Sequence, residues 1–129
     1  TRWPGRLELF GDQVYLDGAH NPHAMLRLIE FANSLAGKRV KILFGALKRK
    51  DYSGMLQTLQ AGLPEAELIL TTFHYGEVVA QGDRQDLPYV ADYKAYIKEF
   101  MDQSRPDEVL FVTGSLYFIA EVRAFLLEG

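Results

Sequence analysis

Cysteine is absent from this chain of 129 residues. Disulfides and thiolate metal sites are thereby excluded, and a cytosolic location is the natural expectation. A basic excess is absent too, since 17 acidic residues stand against 14 basic ones and the formal net charge is −3. General affinity for nucleic acid, which needs a basic surface, is not expected. No apolar run approaches the length of a membrane span, so no membrane partner is expected either. The opening residues, Thr1-Arg2-Trp3-Pro4-Gly5-Arg6, lack signal-peptide character and an initiator Met. The chain therefore reads as one domain over residues 1–129, cut from a longer protein. Internal repeats, low-complexity tracts and interdomain linkers are missing.

Several familiar catalytic signatures are missing as well. No Gly-rich loop ends in Gly-Lys-Ser or Gly-Lys-Thr, so there is no Walker-type phosphate cradle. No GxGxxG run follows a strand, and no serine sits in a GxSxG elbow. His20 and His23 are three apart and straddle a helix cap, which is not the spacing of a zinc-binding pair. No metal ligands are assigned within the chain.

What is present is an alternation of strands and helices. Leu7 to Phe10 and Val14 to Asp17, separated by Gly11-Asp12-Gln13, read as a β-hairpin. A helix follows from about Pro22 to Ala36, with Met25, Leu28, Ile29 and Ala32 forming one apolar stripe, and Gly37 stops it. Val40 to Phe44 is a core strand, Tyr52 to Gln60 a helix and Glu67 to Thr71 a strand. A polar loop runs through Tyr75 to Asp86. Val90 to Met101 reads as a helix, Val109 to Thr113 as the last strand and Ser115 to Leu127 as the last helix. Continuous apolar strands joined by helices imply a mostly parallel sheet covered on both faces. The expected fold is α/β: a three-layer, Rossmann-like domain with an antiparallel strand at one edge.

In such sheets ligands bind beyond the carboxyl ends of the strands. Four strand ends carry polar residues: Asp17 to Pro22, Gly45 to Asp51, Thr71 to His74, and Thr113-Gly114-Ser115. In the first, Asn21 fits a helix N-cap and Pro22 the first helical position. His20 then stands at the positive end of the helix, and Asp17 offers an acceptor for ribose hydroxyls. The plainer reading is that Asp17 closes an Asx turn and Asn21-Pro22 only starts the helix. Ser115 is likewise a natural N-cap, and the alternative is that its hydroxyl and the nearby N–H groups bind an anion. For His74 a surface loop is the simpler account. For Lys48-Arg49-Lys50 a solvated turn before an Asp51 cap is the simpler account, and long-range attraction of a polyanionic substrate the functional one.

Taken together, Trp3-Pro4-Gly5-Arg6-Leu7-Glu8 and Leu16-Asp17-Gly18-Ala19-His20-Asn21-Pro22 resemble the start of the carboxyl-terminal domain of folylpolyglutamate synthases, within the Mur-ligase superfamily. Gly45-Ala46-Leu47, Lys50-Asp51 and Thr113-Gly114-Ser115-Leu116-Tyr117 fit the later segments of the same family, so the resemblance covers nearly the whole chain. It implies a Mur-ligase C-terminal fold and a ligase that phosphorylates a carboxylate with ATP and lets glutamate attack the acyl phosphate. The implied small molecules are ATP with Mg2+, L-glutamate, and a folate or dihydropteroate. An upstream domain of the same chain would carry the phosphate loop and metal ligands, so the isolated domain is expected to be inactive. A monomer is expected. Residue by residue, Arg6 and Asp17 resemble nucleotide contacts, while His20 and Ser115 resemble positions near the glutamate site. Residues 73–77 lack the Pro-Arg-Ala pattern of the family, and Arg84 could stand in for it. Two other readings share the fold: the same domain of another Mur-type amide ligase, and a non-catalytic binding module.

Overall fold

The computed structural model describes residues 7–19, 21–35 and 37–128. Its strands are β1 (Glu8–Phe10), β2 (Val14–Asp17), β3 (Arg39–Gly45), β4 (Glu67–Thr71), β5 (Tyr89–Val90) and β6 (Glu108–Gly114). Its helices are α1 (Pro22–Asn33), α2 (Tyr52–Gly62), α3 (Tyr93–Gln103) and α4 (Leu116–Glu128), with a 3₁₀ turn at Gln81–Asp83. The strands form one sheet in the order β1-β2-β6-β3-β4-β5. Among the strand pairs of the described residues only β1–β2 is antiparallel, and it lies at an edge as expected.

Alternation along the strands builds the two outer layers. Ile42, Phe44 and Phe111 pack with Met25, Leu28, Met55 and Leu59 beneath α1 and α2. Leu43, Leu110 and Val112 pack with Ile97, Phe100, Phe118 and Val122 beneath α3 and α4. The two central strands, β3 and β6, are thus buried on both faces, which is why they read as unbroken apolar runs. This is the three-layer arrangement the sequence pattern implies.

Two boundaries differ from the pattern. Helix α1 ends at Asn33, because the Ser34 N–H donates to Glu30 and Phe31 carbonyls and its hydroxyl donates to the Phe31 carbonyl at 2.6 Å. Such bonds tighten and close a last turn. The expected end, Ala36, lies outside the described residues, and Gly37 follows with φ of +78°. Second, Val90 belongs to a strand rather than a helix. Tyr89 and Val90 pair with Leu70 and Thr71, and the helix starts only after Asp92, whose carboxylate accepts from the Ala95 N–H at 3.1 Å. The polar loop from Tyr75 to Asp86 is present as expected, and it is pinned to the fold. Leu47 and Val78 form an isolated bridge, the Val79 N–H donates to the Ala46 carbonyl at 2.8 Å, and Val79 is fully buried.

The topology fixes where a ligand can enter. The chain leaves β2 and β3 towards the α1/α2 face and leaves β6 towards the α4 face. Neighbouring strand ends therefore send their connections in opposite directions, opening a crevice at the carboxyl ends of β2, β6 and β3. No helix of the described residues is long and apolar enough to cross a membrane.

Candidate active site

Each strand end contributes to this crevice through its own local chemistry. Asp17 closes β2, is buried, and stands opposite Thr113 of β6 in the sheet register. Asn21 caps α1: its side-chain oxygen accepts from the Ala24 N–H at 2.8 Å, and Pro22 opens the helix. Asp17 is thereby held one short turn from the α1 entrance. His20 and Arg6 lie outside the described residues.

At the end of β6, Gly114 has φ of +126°. A Cβ there would stand 2.0 Å from the Gly45 carbonyl oxygen, so no other residue fits. This contact lets the Ser115 N–H donate to that carbonyl at 2.8 Å. The Ser115 hydroxyl accepts from the Tyr117 N–H at 3.1 Å, capping α4. A capping hydroxyl uses a lone pair and keeps its O–H as a donor. Buried Ser115 can therefore start the helix and still donate to a carboxylate.

Asp51 caps α2 as the sequence suggests, accepting from the Gly54 N–H at 3.0 Å. The basic cluster before it divides. Lys48 turns away to Asp83, 3.7 Å distant, and its N–H donates to the Glu77 carbonyl. Arg49 and Lys50 stay at the crevice and, with Met55, Gly114, Ser115 and Tyr117, line a cavity of about 440 Å³. A hollow of about 560 Å³ lies at the opposite, amino-terminal edge, among residues such as Arg39, Leu63 and Glu67. It is larger, but none of the polar strand ends reaches it.

The Thr71 segment behaves differently. The Thr71 hydroxyl donates to the Val90 carbonyl at 2.7 Å. His74 reaches Glu121 of α4 through both its backbone N–H and its ring Nδ1, each at 3.2 Å, and the Tyr93 hydroxyl donates to the same carboxylate at 2.7 Å. Burial favours the neutral form of Glu121, but the bonds from Tyr93 and His74 outweigh it and hold the carboxyl below its ordinary range. Burial, with help from Glu121, pushes the Tyr93 hydroxyl well above its usual value. This cluster borders a separate hollow formed by Thr72, Phe73, Ala91 and Lys94. Arg84 is committed to a two-pronged bond with Asp86, both contacts 2.9 Å.

Residues 5–116 match the family described as Mur ligase, glutamate ligase domain. The chain belongs to this family. It is 33% identical over 134 residues to the dihydrofolate synthase/folylpolyglutamate synthase of Bacillus subtilis, covering 94% of this chain and 30% of that protein. Among solved structures, it resembles the bifunctional folylpolyglutamate synthase/dihydrofolate synthase of Yersinia pestis complexed with AMPPNP and Mn ion. That match has a TM-score of 0.84 at 25% identity, over 98% of this chain and 32% of that one. The same type of enzyme with Mn, AMPPNP and L-glutamate bound matches with a TM-score of 0.82, again at 25% identity and the same coverage. The chain thus spans about a third of the length of these relatives.

Two features of this Mur ligase domain escape a reading of the sequence. One is the stack of Tyr75 on Tyr117, with centroids 3.9 Å apart and planes 11° apart, at the mouth of the crevice beside Ser115. Tyr75 and Tyr117 are 42 residues apart in sequence, and no local pattern joins them. The other is the Glu121 cluster, which a hint in the helical spacing of Glu121 could not reveal without its partners. Among the described residues no group of three or more His, Asp or Glu converges to hold a metal.

Proposed function

We propose that this domain serves an ATP-dependent ligase that joins L-glutamate to the carboxyl group of a folate or of dihydropteroate. The observation that supports this reading is that Arg49, Lys50 and Ser115 line one cavity at the strand ends, while Asp17 closes the neighbouring strand β2 beside Thr113; a related enzyme of solved structure has Mn, AMPPNP and L-glutamate bound. In such a reaction a carboxylate oxygen attacks the γ-phosphorus of ATP and ADP leaves. The amine of glutamate then attacks the acyl phosphate, the C–O bond to phosphate breaks, and an amide forms.

In this reading Asp17 accepts hydrogen bonds from the ribose hydroxyls and Arg6 meets phosphate as a planar cation. His20 and the O–H of Ser115 orient the incoming glutamate. Their contribution is alignment, because the acyl phosphate is reactive once the amine is in place. Arg49 and Lys50 attract the anionic substrates at range. A further domain of the parent chain supplies the phosphate cradle and the Mg2+ ligands, and closure of the two domains excludes water from the intermediate. A cytosolic setting suits a chain without cysteine.

The test is glutamate incorporation by the full-length enzyme, given ATP, magnesium and either a reduced folate or dihydropteroate. Incorporation that requires ATP and one acceptor is expected, and the acceptor used names the branch. A folded full-length enzyme that incorporates no glutamate with either acceptor would refute the proposal.

A further inference from the structure

Thr113 raises a question that the proposed function leaves unanswered. It is fully buried near the end of β6, and its hydroxyl is the only buried side-chain polar atom among the described residues with no hydrogen-bond partner. Leaving a buried donor unmade is costly, and such groups call for an explanation. Strand propensity does not supply one. Valine has the same shape and the same preference for strands without the hydroxyl, and Val109 and Val112 serve on this very strand. Nor is the strand end inherently short of acceptors, since Thr71 at the end of β4 bonds the Val90 carbonyl.

The register indicates what the hydroxyl is for. Thr113 stands between Asp17 of β2 and Phe44 of β3. Paired residues of a parallel ladder point to the same face, and Phe44 and Phe111 mark that face as the one under α1 and α2. Asp17 and Thr113 are thus side-by-side neighbours on it, with Cβ atoms of order 5 Å apart. At that spacing one rotamer step about χ1 carries a threonine oxygen towards an adjacent carboxylate.

We propose that Thr113 is a positioning residue: its hydroxyl turns to donate to the Asp17 carboxylate when that carboxylate engages the nucleotide, fixing the orientation of its remaining lone pairs. This rests on the reading of Asp17 as a nucleotide contact. The unpaired hydroxyl is then a cost carried by the empty domain and recovered on binding. Because Thr113 directly precedes Gly114 and Ser115, the bond also ties the nucleotide side of the crevice to the strand end that presents Ser115.

The experiment uses the full-length enzyme with four variants: Thr113→Val, Thr113→Ser, Asp17→Ala and the double variant Asp17→Ala/Thr113→Val. Two quantities are measured, the unfolding midpoint without nucleotide and the KM for ATP. Thr113→Val is expected to keep or raise the midpoint while raising the KM for ATP about tenfold, with a smaller change in kcat. Thr113→Ser should return KM to within about twofold of the parent, the hydroxyl being restored. In the Asp17→Ala background the valine should add nothing further, since the two act as one unit. A midpoint lowered by Thr113→Val would overturn the proposal, because the hydroxyl would then be satisfied in the empty fold. An unchanged KM in Thr113→Val, with a raised KM in Asp17→Ala, would overturn it while leaving the Asp17 role intact. An unchanged KM in Asp17→Ala would remove the nucleotide role of Asp17 and the Thr113 role with it.

Discussion

Two polar clusters lie along the same edge of the sheet, and they are built on opposite principles. Around Glu121 the groups satisfy one another: Tyr93 and His74 donate to a single carboxylate, and Thr71 nearby is spent on a backbone carbonyl. Around Asp17 and Ser115 capacity is held back. The Thr113 hydroxyl is unpaired, the Ser115 hydroxyl uses only its acceptor side, and Arg49 and Lys50 line a cavity without a described ion-pair partner. A saturated cluster fixes a loop. A cluster with unspent donors, set where strand connections diverge, is where the proposed function puts its ligand. Polarity alone does not tell the two apart; the accounting of hydrogen bonds does.

The severest test of the comparison is Gly114→Ala. A Cβ at this position collides with the Gly45 carbonyl and demands a left-handed backbone from alanine. Separation of β3 from β6 should cost about 4 kcal/mol or more, in the range reserved for broken cores, and denaturant unfolding of the enzyme will read it. A loss under about 1 kcal/mol would mean that the strand ends yield easily, and that the crevice is not a fixed frame.

Ser115 separates capping from ligand contact. Ser115→Ala should cost about 1 kcal/mol of stability through the lost cap, whereas Ser115→Gly should cost only a few tenths. Both remove the O–H donor, so both should raise the KM for glutamate about tenfold. If KM follows stability instead, with glycine nearly harmless, then the cap is the whole role of Ser115 and the crevice loses one of its unspent donors.

How much of this was legible beforehand follows from which forces are local. Helix starts were readable because caps are local: Asn21, Asp51 and Ser115 all cap as their residue types suggest. The sheet order class was readable because burial on both faces leaves unbroken apolar runs in β3 and β6. Val90 was misread because its apolar side chain suits either period, and what decides it is pairing with Thr71, nineteen residues away. Val79 was hidden in a polar loop because its burial comes from a bond to Ala46 across the fold. In the crevice, Asp17 and Ser115 were readable as strand-end residues. Their neighbour Thr113 is informative only through a hydrogen bond it lacks, against the paired buried hydroxyls elsewhere among the described residues, and no sequence pattern shows that.

The saturated cluster makes the smallest and most specific predictions. Glu121 has its folded pKa held below the ordinary carboxylate value. Its stabilising contribution is therefore complete above that ordinary value and is lost as pH falls through the lowered one. Glu121→Gln should abolish this part of the acid sensitivity and destabilise the domain by about 1 kcal/mol near neutrality, since Tyr93 keeps an acceptor but loses a charged one. Ligation should stay within about twofold of the parent, because none of these groups borders the crevice. His74→Ala should do less still, within about 0.5 kcal/mol, because the ring is 91% exposed and its pairing is screened. Unfolding midpoints of Glu121→Gln and the parent, followed from neutral pH into the acid range, decide the matter. Converging curves at low pH are expected, because protonation does to the parent what the substitution does to the variant. Curves that stay parallel would show that Glu121 is not held by its hydrogen bonds, and that the two clusters differ less than their geometry indicates.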